Sequence, residues 1–214
     1  TGIGLSGEKP GLIPSAAWKK QVKNEIWFPG ETISASIGQG YNLVTPLQNA
    51  RMISAIANGG FLSKPYLVKK IEDSEGKLIK EFSQKSLTNI EMDPEILKHL
   101  KEGLRGVVYE PHGTGHRARL KNVVVSGKTG TAQVVSMKDS KDIDPEEKIP
   151  YSFRDHAWFV AFAPYEKPDI AVSIIIEHGG HGGETAAPIA RKIMKIYFTH
   201  YPPTKISENI LNIN

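Results

Sequence analysis

The chain has 214 residues, 39% of them hydrophobic, and a formal net charge of +4. This size and composition suit one globular domain, and lysines scattered among acidic residues argue against a nucleic-acid-binding surface. The absence of cysteine excludes disulfides, thiol catalysis and cysteine-ligated metal sites. The longest apolar run, at 170–176, is too short for a membrane span and indicates a buried strand.

The first half of the chain predicts two helices around a hairpin. Residues 1–35 hold several glycines and prolines with Trp18 and Trp27, which is typical of an irregular covering segment. Thr45-Pro46 begins a helix that stops at Asn58, and residues 67–82 read as a hairpin. The apolar positions of this helix are Leu47, Ala50, Met52, Ile53, Ile56 and Ala57. A second helix begins after Asp93 and ends near Pro111, with its apolar positions at Leu97, Leu100, Leu104, Val107 and Val108.

The second half predicts a sheet and a closing helix. Strands are expected at 122–135, 157–163 and 170–177, and the short connection between the last two favours antiparallel pairing. A helix at 188–201 is expected to present one apolar side formed by Ile189, Ile193, Ile196 and Tyr197. The polar insertion at 136–151 is expected to be a mobile loop beside the site.

The most informative stretch is Ser126-Gly127-Lys128-Thr129-Gly130-Thr131-Ala132-Gln133, which follows three valines. In a strand, Lys128 and Gly130 would point to one face and Thr129 and Thr131 to the other. The glycines would allow a ligand backbone to approach, and an edge strand could pair with an extended peptide. A cation and two hydroxyls suit a carboxylate, so the stretch predicts recognition of a peptide C-terminus.

The same stretch contains Gly127-Lys128-Thr129, a tripeptide that also occurs in Walker A loops. That loop needs a glycine five residues before the Gly-Lys pair, where this chain has Asn122, and it needs a flexible cradle where this chain has valines. A phosphate-binding loop is therefore excluded.

Several further blocks accompany this stretch in a fixed order. They are Thr1-Gly2-Ile3-Gly4-Leu5, Ser36-Ile37-Gly38-Gln39-Gly40-Tyr41, Thr45-Pro46-Leu47-Gln48, Ala57-Asn58-Gly59-Gly60, Gly113-Thr114-Gly115, Asp155-His156-Ala157-Trp158-Phe159, Glu177-His178-Gly179-Gly180-His181-Gly182-Gly183 and Ala187-Pro188-Ile189-Ala190. With these blocks the chain resembles the class B penicillin-binding proteins, specifically the penicillin-binding protein 2 type that builds the lateral wall of rod-shaped bacteria. The blocks span nearly the whole chain.

The resemblance implies an α/β fold of the α+β type: an antiparallel sheet flanked by helices, as in penicillin-binding protein transpeptidases and serine β-lactamases, with its N-terminal part missing. Residues 1–214 would be the C-terminal part of one transpeptidase domain. Its parts would be a covering segment and helix at 1–66, a satellite hairpin at 67–82, a helix and loop at 83–121, strands and closing helix at 122–201, and a tail at 202–214.

The activity implied by the resemblance is that of a peptidoglycan D,D-transpeptidase, in which an upstream serine forms an acyl-enzyme with a stem peptide ending in D-Ala-D-Ala. Lys128 would provide positive charge near the serine loop and the substrate carboxylate. Thr129 and Thr131 would bind that carboxylate, and the backbone N–H of Thr131 would form half of the oxyanion hole. The remaining substrate-binding candidates are Ser126, Gly127, Gly130 and Gln133. β-Lactams would acylate the same serine, and no cofactor is implied.

The family reaction needs an S-x-x-K pair and then an S-x-N or S-x-D loop before K-T-G. Ser74-Glu75-Gly76-Lys77 spells the first pattern but reads as a hairpin turn, and Ser207-Glu208-Asn209 spells the second in a polar tail. The nucleophile is therefore expected upstream of this chain, which alone should be inactive.

The expected partners are stem peptides, β-lactams, the rest of the same transpeptidase domain and a shape-determining glycosyltransferase, with no nucleic acid. The expected location is the periplasmic side of the bacterial inner membrane, with an anchor outside this chain. No signal segment is recognised in the sequence.

Two histidine groups raise a metal hypothesis. Glu177, His178, His181 and Glu184 offer imidazole and carboxylate groups suited to zinc. The four glycines among them favour positive-φ turns instead, and His112 and His116 are interpreted as surface-loop residues. His156 is interpreted as a packed or hydrogen-bonded core residue, so no metal is predicted.

Two other functions stay open on the sequence. A β-lactam sensor or hydrolase of the same fold would share K-T-G, although the Gln39 and His156 blocks favour the wall synthase. A non-catalytic peptide-binding fragment would explain the missing nucleophile.

Overall fold

A computed structural model of the chain describes residues 1–83, 87–134 and 150–203. Its helices are α1 (Ala16–Lys23), α2 (Pro29–Ser36), α3 (Pro46–Ala57), α4 (Pro94–Tyr109) and α5 (Ala186–His200). Its strands are β1 (Phe61–Ser63), β2 (Lys70–Glu72), β3 (Leu78–Glu81), β4 (Leu87–Asn89), β5 (Ser126–Ala132), β6 (His156–Ala163) and β7 (Ile170–Ile176). Short 3₁₀ turns lie at His116–Ala118 and Tyr151–Phe153.

The main sheet of the described residues has three antiparallel strands in the order β5-β6-β7. The predicted antiparallel pairing is confirmed. β6 lies in the middle, and nearly all of it is buried on both faces, which explains its almost continuous apolar sequence. β5 lies at one edge of this sheet, which leaves its other side available for contacts outside the sheet.

The two faces of the sheet carry different helices. Alternate residues of β6, including Phe159 and Ala161, join a buried cluster with Val108 of α4 and with Ala190 and Met194 of α5. The intervening residues Val160 and Phe162 pack in a second cluster with Ile53 and Ala57 of α3. The sheet is therefore sandwiched between helices, and the predicted mixed fold with an antiparallel sheet flanked by helices is confirmed.

Helix α3 begins where the sequence predicts, because Thr45 caps it. The hydroxyl of Thr45 accepts from the backbone N–H of Gln48 at 3.2 Å, and the Gln48 side chain accepts from the N–H of Thr45 at 2.8 Å. Pro46 occupies the first turn, where its missing N–H costs nothing. A reciprocal cap of this kind contributes about 1 kcal/mol.

The covering segment is less irregular than predicted, since it contains α1 and α2. The Ser15 hydroxyl caps α1 by accepting from the N–H of Trp18 at 3.1 Å. Glu31 accepts from the N–H of Phe28 at 2.7 Å and fixes the start of α2, whose first residue is a proline. The glycine and proline content concealed these two short capped helices.

The predicted apolar sides of three helices also need correction. On α5, Ile193 and Ile196 are exposed, and the buried stripe is Ala187, Ala190 and Met194. Small alanines allow the helix axis to approach the sheet more closely than isoleucines would. On α3 and α4, Met52 and Leu100 are likewise exposed, while Ile53 and Val108 are buried.

The smaller strands form two pairs. The predicted hairpin is present as β2 and β3. Strands β1 and β4 also pair, which the sequence analysis missed because each has three residues. The predicted strand 122–135 is shorter, since β5 begins at Ser126. Residues 136–149 of the predicted loop and Ser207-Glu208-Asn209 lie outside the described residues.

The subdivision of the chain at 66, 82, 121 and 201 stays a prediction. In the part of the chain that is described, no helix combines the length and apolar character needed to cross a membrane.

Candidate functional site

Strand β5 carries most of the predicted site. Ser126, Gly127, Lys128, Thr129, Gly130 and Thr131 all lie in it, and Gln133 follows its last residue. The register with β6 places Lys128 opposite Val160 and Thr129 opposite Phe159. Because Val160 and Phe159 lie on opposite faces of the sheet, Lys128 shares the α3 side and the two threonines share the α5 side.

Accessibility divides the predicted residues into two groups. Lys128 is exposed, and Thr129 and Thr131 are half-buried. Ser126 and Gly127 are buried, and the Ser126 side chain is fully enclosed. In this structure, a ligand at the surface can therefore reach the second half of the stretch directly but not its first two residues.

The outward edge of β5 is marked by two hydrogen bonds. The Thr129 carbonyl accepts from Nζ of Lys128 at 2.8 Å, and the Thr131 carbonyl accepts from Nε2 of Gln39 at 2.7 Å. Neither donor belongs to β6. In an antiparallel pair, a residue directs its N–H and its C=O to the same side, so the N–H of Thr131 also points away from β6. Thr129 and Thr131 thus offer their backbone groups to the edge where an extended ligand could add.

Glycine at two positions is explained by packing within the protein. A Cβ at Gly127 would lie 2.5 Å from the Val160 carbonyl oxygen, and a Cβ at Gly182 would lie 2.0 Å from the Trp158 carbonyl oxygen. Both distances are far below ordinary contact. At Gly127, the close approach comes from β6 and not from a ligand, contrary to the expectation from the sequence.

The Gly113-Thr114-Gly115 block lies against β5, which the sequence analysis did not foresee for Thr114. The hydroxyl oxygens of Thr114 and Thr129 are 2.7 Å apart. A Cβ at Gly183 would lie 2.2 Å from the Thr114 carbonyl oxygen, so this block and the glycine-rich block after β7 meet beside the site strand. The glycines around Thr114 were the available signal, since they mark a close backbone approach.

The Gln39 block forms a loop from which the Gln39 side chain reaches the outward edge of β5. Gly38 and Gly40 have φ of +77° and +72°, in the left-handed region that favours glycine. The backbone N–H of Gln39 donates to the Ser34 carbonyl at 2.9 Å, and Nδ2 of Asn42 donates to the Gln39 carbonyl at 3.0 Å. The loop is therefore held around Gln39, whose side chain contacts a residue 92 positions away.

His156 at the start of β6 and His178 just after β7 contact each other and backbone groups. The N–H of His178 donates to Nδ1 of His156 at 2.9 Å, and the two rings lie 4.8 Å apart. Nδ1 of His178 lies 3.0 Å from the Arg154 carbonyl oxygen. His178 has a φ of +54° and Gly180 one of +74°, whereas Gly179, Gly182 and Gly183 have no positive φ, so the predicted conformation is present at one of the four glycines. Across residues 1–83, 87–134 and 150–203, no group of three or more His, Asp or Glu side chains is placed to hold a metal ion.

His116 belongs to a different contact network. Its Nδ1 lies 2.6 Å from Nη2 of Arg119. The same nitrogen lies 2.9 Å from the Val108 carbonyl oxygen, which also accepts from Nε of Arg119 at 2.7 Å, so the His116 and Arg119 side chains together help to hold the loop after α4.

The S-x-x-K matches in the described residues do not supply a nucleophile. Ser74 to Lys77 form the turn between β2 and β3, where Asp73 Oδ1 accepts from the N–H groups of Glu75 and Lys77 at 3.0 and 2.9 Å. A further spelling, Ser6-Gly7-Glu8-Lys9, was missed by the sequence analysis. It lies before α1 in irregular backbone, with a φ of +80° at Gly7, so its serine and lysine do not share a helical turn.

The sequence matches the family described as the penicillin binding protein transpeptidase domain over residues 1–195. The peptidoglycan D,D-transpeptidase MrdA of Salmonella typhimurium is 36% identical over 201 residues, which are 92% of this chain and 32% of the relative. The chain thus spans about a third of the length of the curated relatives that it matches.

Solved structures of similar proteins agree with this assignment. The penicillin-binding protein PBP2 of Helicobacter pylori, in complex with MreC, is 32% identical with a TM-score of 0.73, over 94% of this chain and 33% of that one. Pseudomonas aeruginosa PBP2 in complex with WCK 5153 is 31% identical with a TM-score of 0.73, over 97% of this chain and 41% of that one. Penicillin-binding protein A of M. tuberculosis, as a ceftriaxone acyl-enzyme, is 29% identical with a TM-score of 0.61, over 76% of this chain and 34% of that one.

Proposed function

Because this chain belongs to the penicillin-binding protein transpeptidase family, we propose that it forms the substrate-binding part of a peptidoglycan D,D-transpeptidase. The observation that carries the proposal is the edge strand β5. It combines an exposed lysine, two half-buried threonine hydroxyls and outward backbone groups in one short segment. This combination suits an extended peptide that ends in a carboxylate.

The proposed reaction has two steps. First, a serine outside this chain forms a C–O bond to the penultimate D-Ala carbonyl, and the amide C–N bond to the terminal D-Ala breaks. The serine proton is transferred to the departing amine. Then an amine of a neighbouring stem peptide forms a new C–N bond to the acyl group, and the serine oxygen takes up a proton as its ester bond breaks.

Three residues of β5 act in this scheme. The Lys128 ammonium provides positive charge beside the bound peptide, and the hydroxyls of Thr129 and Thr131 donate to the terminal carboxylate. The outward N–H of Thr131 donates to the carbonyl oxygen as it becomes an oxyanion. Removing one donor of this kind costs about 10²-fold or more in rate.

Gln133 has the weakest structural support as a substrate-binding residue. It is exposed just beyond the last residue of β5, so a ligand longer than the strand could contact it. Gly130 contributes through the small size of the residue, since its backbone groups face β6 and a Cβ there would lie 3.2 Å from Cβ of Trp158.

The same site would accept β-lactams, which present a reactive carbonyl near a carboxylate. The ceftriaxone acyl-enzyme of the M. tuberculosis relative supports this proposal. Relatives named as transpeptidases favour a transferase over a sensor or hydrolase of the same fold.

The rest of the transpeptidase domain is the proposed first partner, because it would supply the serine. MreC is the partner in the Helicobacter pylori complex, and a shape-determining glycosyltransferase is a further proposed partner here. The proposed location is the periplasmic side of the bacterial inner membrane, with the anchor in sequence outside this chain.

A fluorescent penicillin tests the proposal. We expect stoichiometric covalent labelling of a longer protein that contains this chain with its upstream residues, and none of the 214-residue chain alone. Lys128→Ala in the longer protein should slow labelling strongly, whereas Lys121→Ala, at an exposed position before β5, should not. Failure of the longer protein to be labelled would overturn the proposed activity, and labelling of the isolated chain at Ser6 or Ser74 would overturn the position of the nucleophile.

A further inference from the structure

The side chain of Gln39 forms a hydrogen bond to a backbone carbonyl of the site strand β5, that of Thr131. Nε2 of Gln39 donates to the Thr131 carbonyl at 2.7 Å from outside the sheet. This carbonyl is one of the two outward backbone groups of Thr131. The contact is half-buried, and it connects the loop between α2 and α3 to the site strand.

The loop holds Gln39 in place by contacts on both sides of the residue. The left-handed backbone at Gly38 and Gly40 turns the chain sharply, and Ser34 and Asn42 bind the N–H and C=O of Gln39. These contacts satisfy its backbone within the loop and leave its side chain to reach β5. The loop backbone therefore fixes the position from which the side-chain amide of Gln39 reaches Thr131.

Antiparallel pairing specifies which ligand group needs the same acceptor. A residue that accepts from the N–H of Thr131 through its carbonyl directs its own N–H to the carbonyl of Thr131. In the proposed reaction, the carbonyl at the Thr131 N–H is that of the penultimate D-Ala. The N–H of that same residue would then meet the oxygen that Gln39 occupies.

We propose that Gln39 is a specificity-determining gate, whose amide competes with the backbone N–H of the acyl donor for the Thr131 carbonyl. The side chain leaves this oxygen when a ligand with a correctly placed N–H pairs with β5. A ligand without that N–H leaves Gln39 where it is. The inference rests on the proposed function, because it takes the acyl donor and its register from it.

The test compares two penams in the longer protein with the serine present. Benzylpenicillin carries an acylamino N–H beside the lactam, and penicillanic acid does not. Gln39→Met keeps the length of the side chain but removes its donor, so the ratio of the acylation rate constants, benzylpenicillin over penicillanic acid, should rise. Since a neutral hydrogen bond has a net worth of about 0.5–1.5 kcal/mol, the rise should be about 2- to 12-fold.

Gln39→Glu is a second variant that also lacks a donor, and it should raise the ratio in the same direction. Gln48→Met is the matched control, because Nε2 of Gln48 also donates to a distant backbone carbonyl, that of Pro10 at 2.7 Å, away from β5. It should leave the ratio at the wild-type value.

An unchanged or lower ratio in both Gln39 variants would overturn the gate, and equal slowing with both penams would show that Gln39 only supports the strand. These results are distinct from a failure of the proposed function, in which the wild-type protein would be acylated by neither penam.

Discussion

The hydroxyl oxygens of Thr114 and Thr129 lie 2.7 Å apart, which makes the loop after α4 part of the environment of the site strand. Each hydroxyl has one proton to donate, and either of them can be the donor in the bond between them. When Thr114 donates, Thr129 keeps its own proton for a ligand carboxylate. We therefore propose Thr114 as a positioning residue for the substrate-binding hydroxyl of Thr129.

Thr114→Val should slow acylation of the longer protein by a β-lactam about 2- to 12-fold, the equivalent of one neutral hydrogen bond. Valine preserves the branched shape, and the second-order acylation rate constant is the measurement. Thr199→Val provides the control, since Thr199 donates to a carbonyl within α5. Equal rates in the wild type and the Thr114 variant would remove Thr114 from the site.

Thr131→Val should have a larger effect, because the lost hydrogen bond is to a charged group. Such bonds are worth about 1.5–3 kcal/mol, so the acylation rate constant should fall about 10- to 100-fold. Thr88→Val is the control: Thr88 is exposed and pairs with Leu62 of β1, outside the main sheet. Melting temperatures are measured in parallel. Small and equal effects at both positions would leave only Lys128 and the backbone of β5 as recognition elements.

Gly182→Ala should destabilise the fold, because its Cβ would lie 2.0 Å from the Trp158 carbonyl oxygen and 2.7 Å from that of Gly130. Forcing extra atoms into a packed region typically costs about 1–3 kcal/mol or more. Gly103→Ala is the opposite case, since Gly103 lies within α4 and its added Cβ would enter open space.

Alanine should stabilise α4 by up to about 1 kcal/mol. Urea unfolding of the longer protein measures both free energies. A Gly182→Ala variant as stable as the wild type would contradict the close packing of the glycine-rich loop on β5 and β6.

The ion pairs of Lys19 predict a dependence of stability on pH. Nζ of Lys19 lies 2.6 Å from Glu31 and 3.2 Å from Glu25, and the Lys19 side chain is only 2% exposed. The hydrogen bond from Lys19, with a second from the N–H of Phe28, lowers the pKa of Glu31. A carboxyl with a lower pKa in the folded state stabilises the protein above its unfolded pKa of about 4.3, and this contribution is lost as the pH falls through the folded pKa.

Lys19→Met should therefore lessen the fall in melting temperature between about pH 6 and pH 3, because it removes the main cause of the shift. Lys20→Met changes the exposed neighbouring lysine and should retain the wild-type pH dependence. Identical pH profiles for the wild type and Lys19→Met would show that the ion pair does not contribute.

The local pattern of the sequence was sufficient for elements whose determinants lie within a few residues. The Thr45 cap and Pro46 predict the start of α3, and Asp93 with Pro94 predicts that of α4. The mostly apolar runs of β6 and β7, joined by a short connection, predict their antiparallel pairing. The two partners of a cap or turn hydrogen bond lie within a few residues of each other, so the local sequence shows both of them.

Tertiary structure decided the features that depend on distant residues. Ile193 and Ile196 look like the buried side of α5, but the sheet selected Ala187 and Ala190, because burial depends on what packs against a helix and how closely. Likewise, the sequence placed Lys128, Thr129 and Thr131 in one strand, whereas their connection to Thr114 and Gln39 requires the folded chain. Hydrogen bonds form between groups close in space, and the periodicity of a sequence carries no record of contacts across 15 or 92 positions.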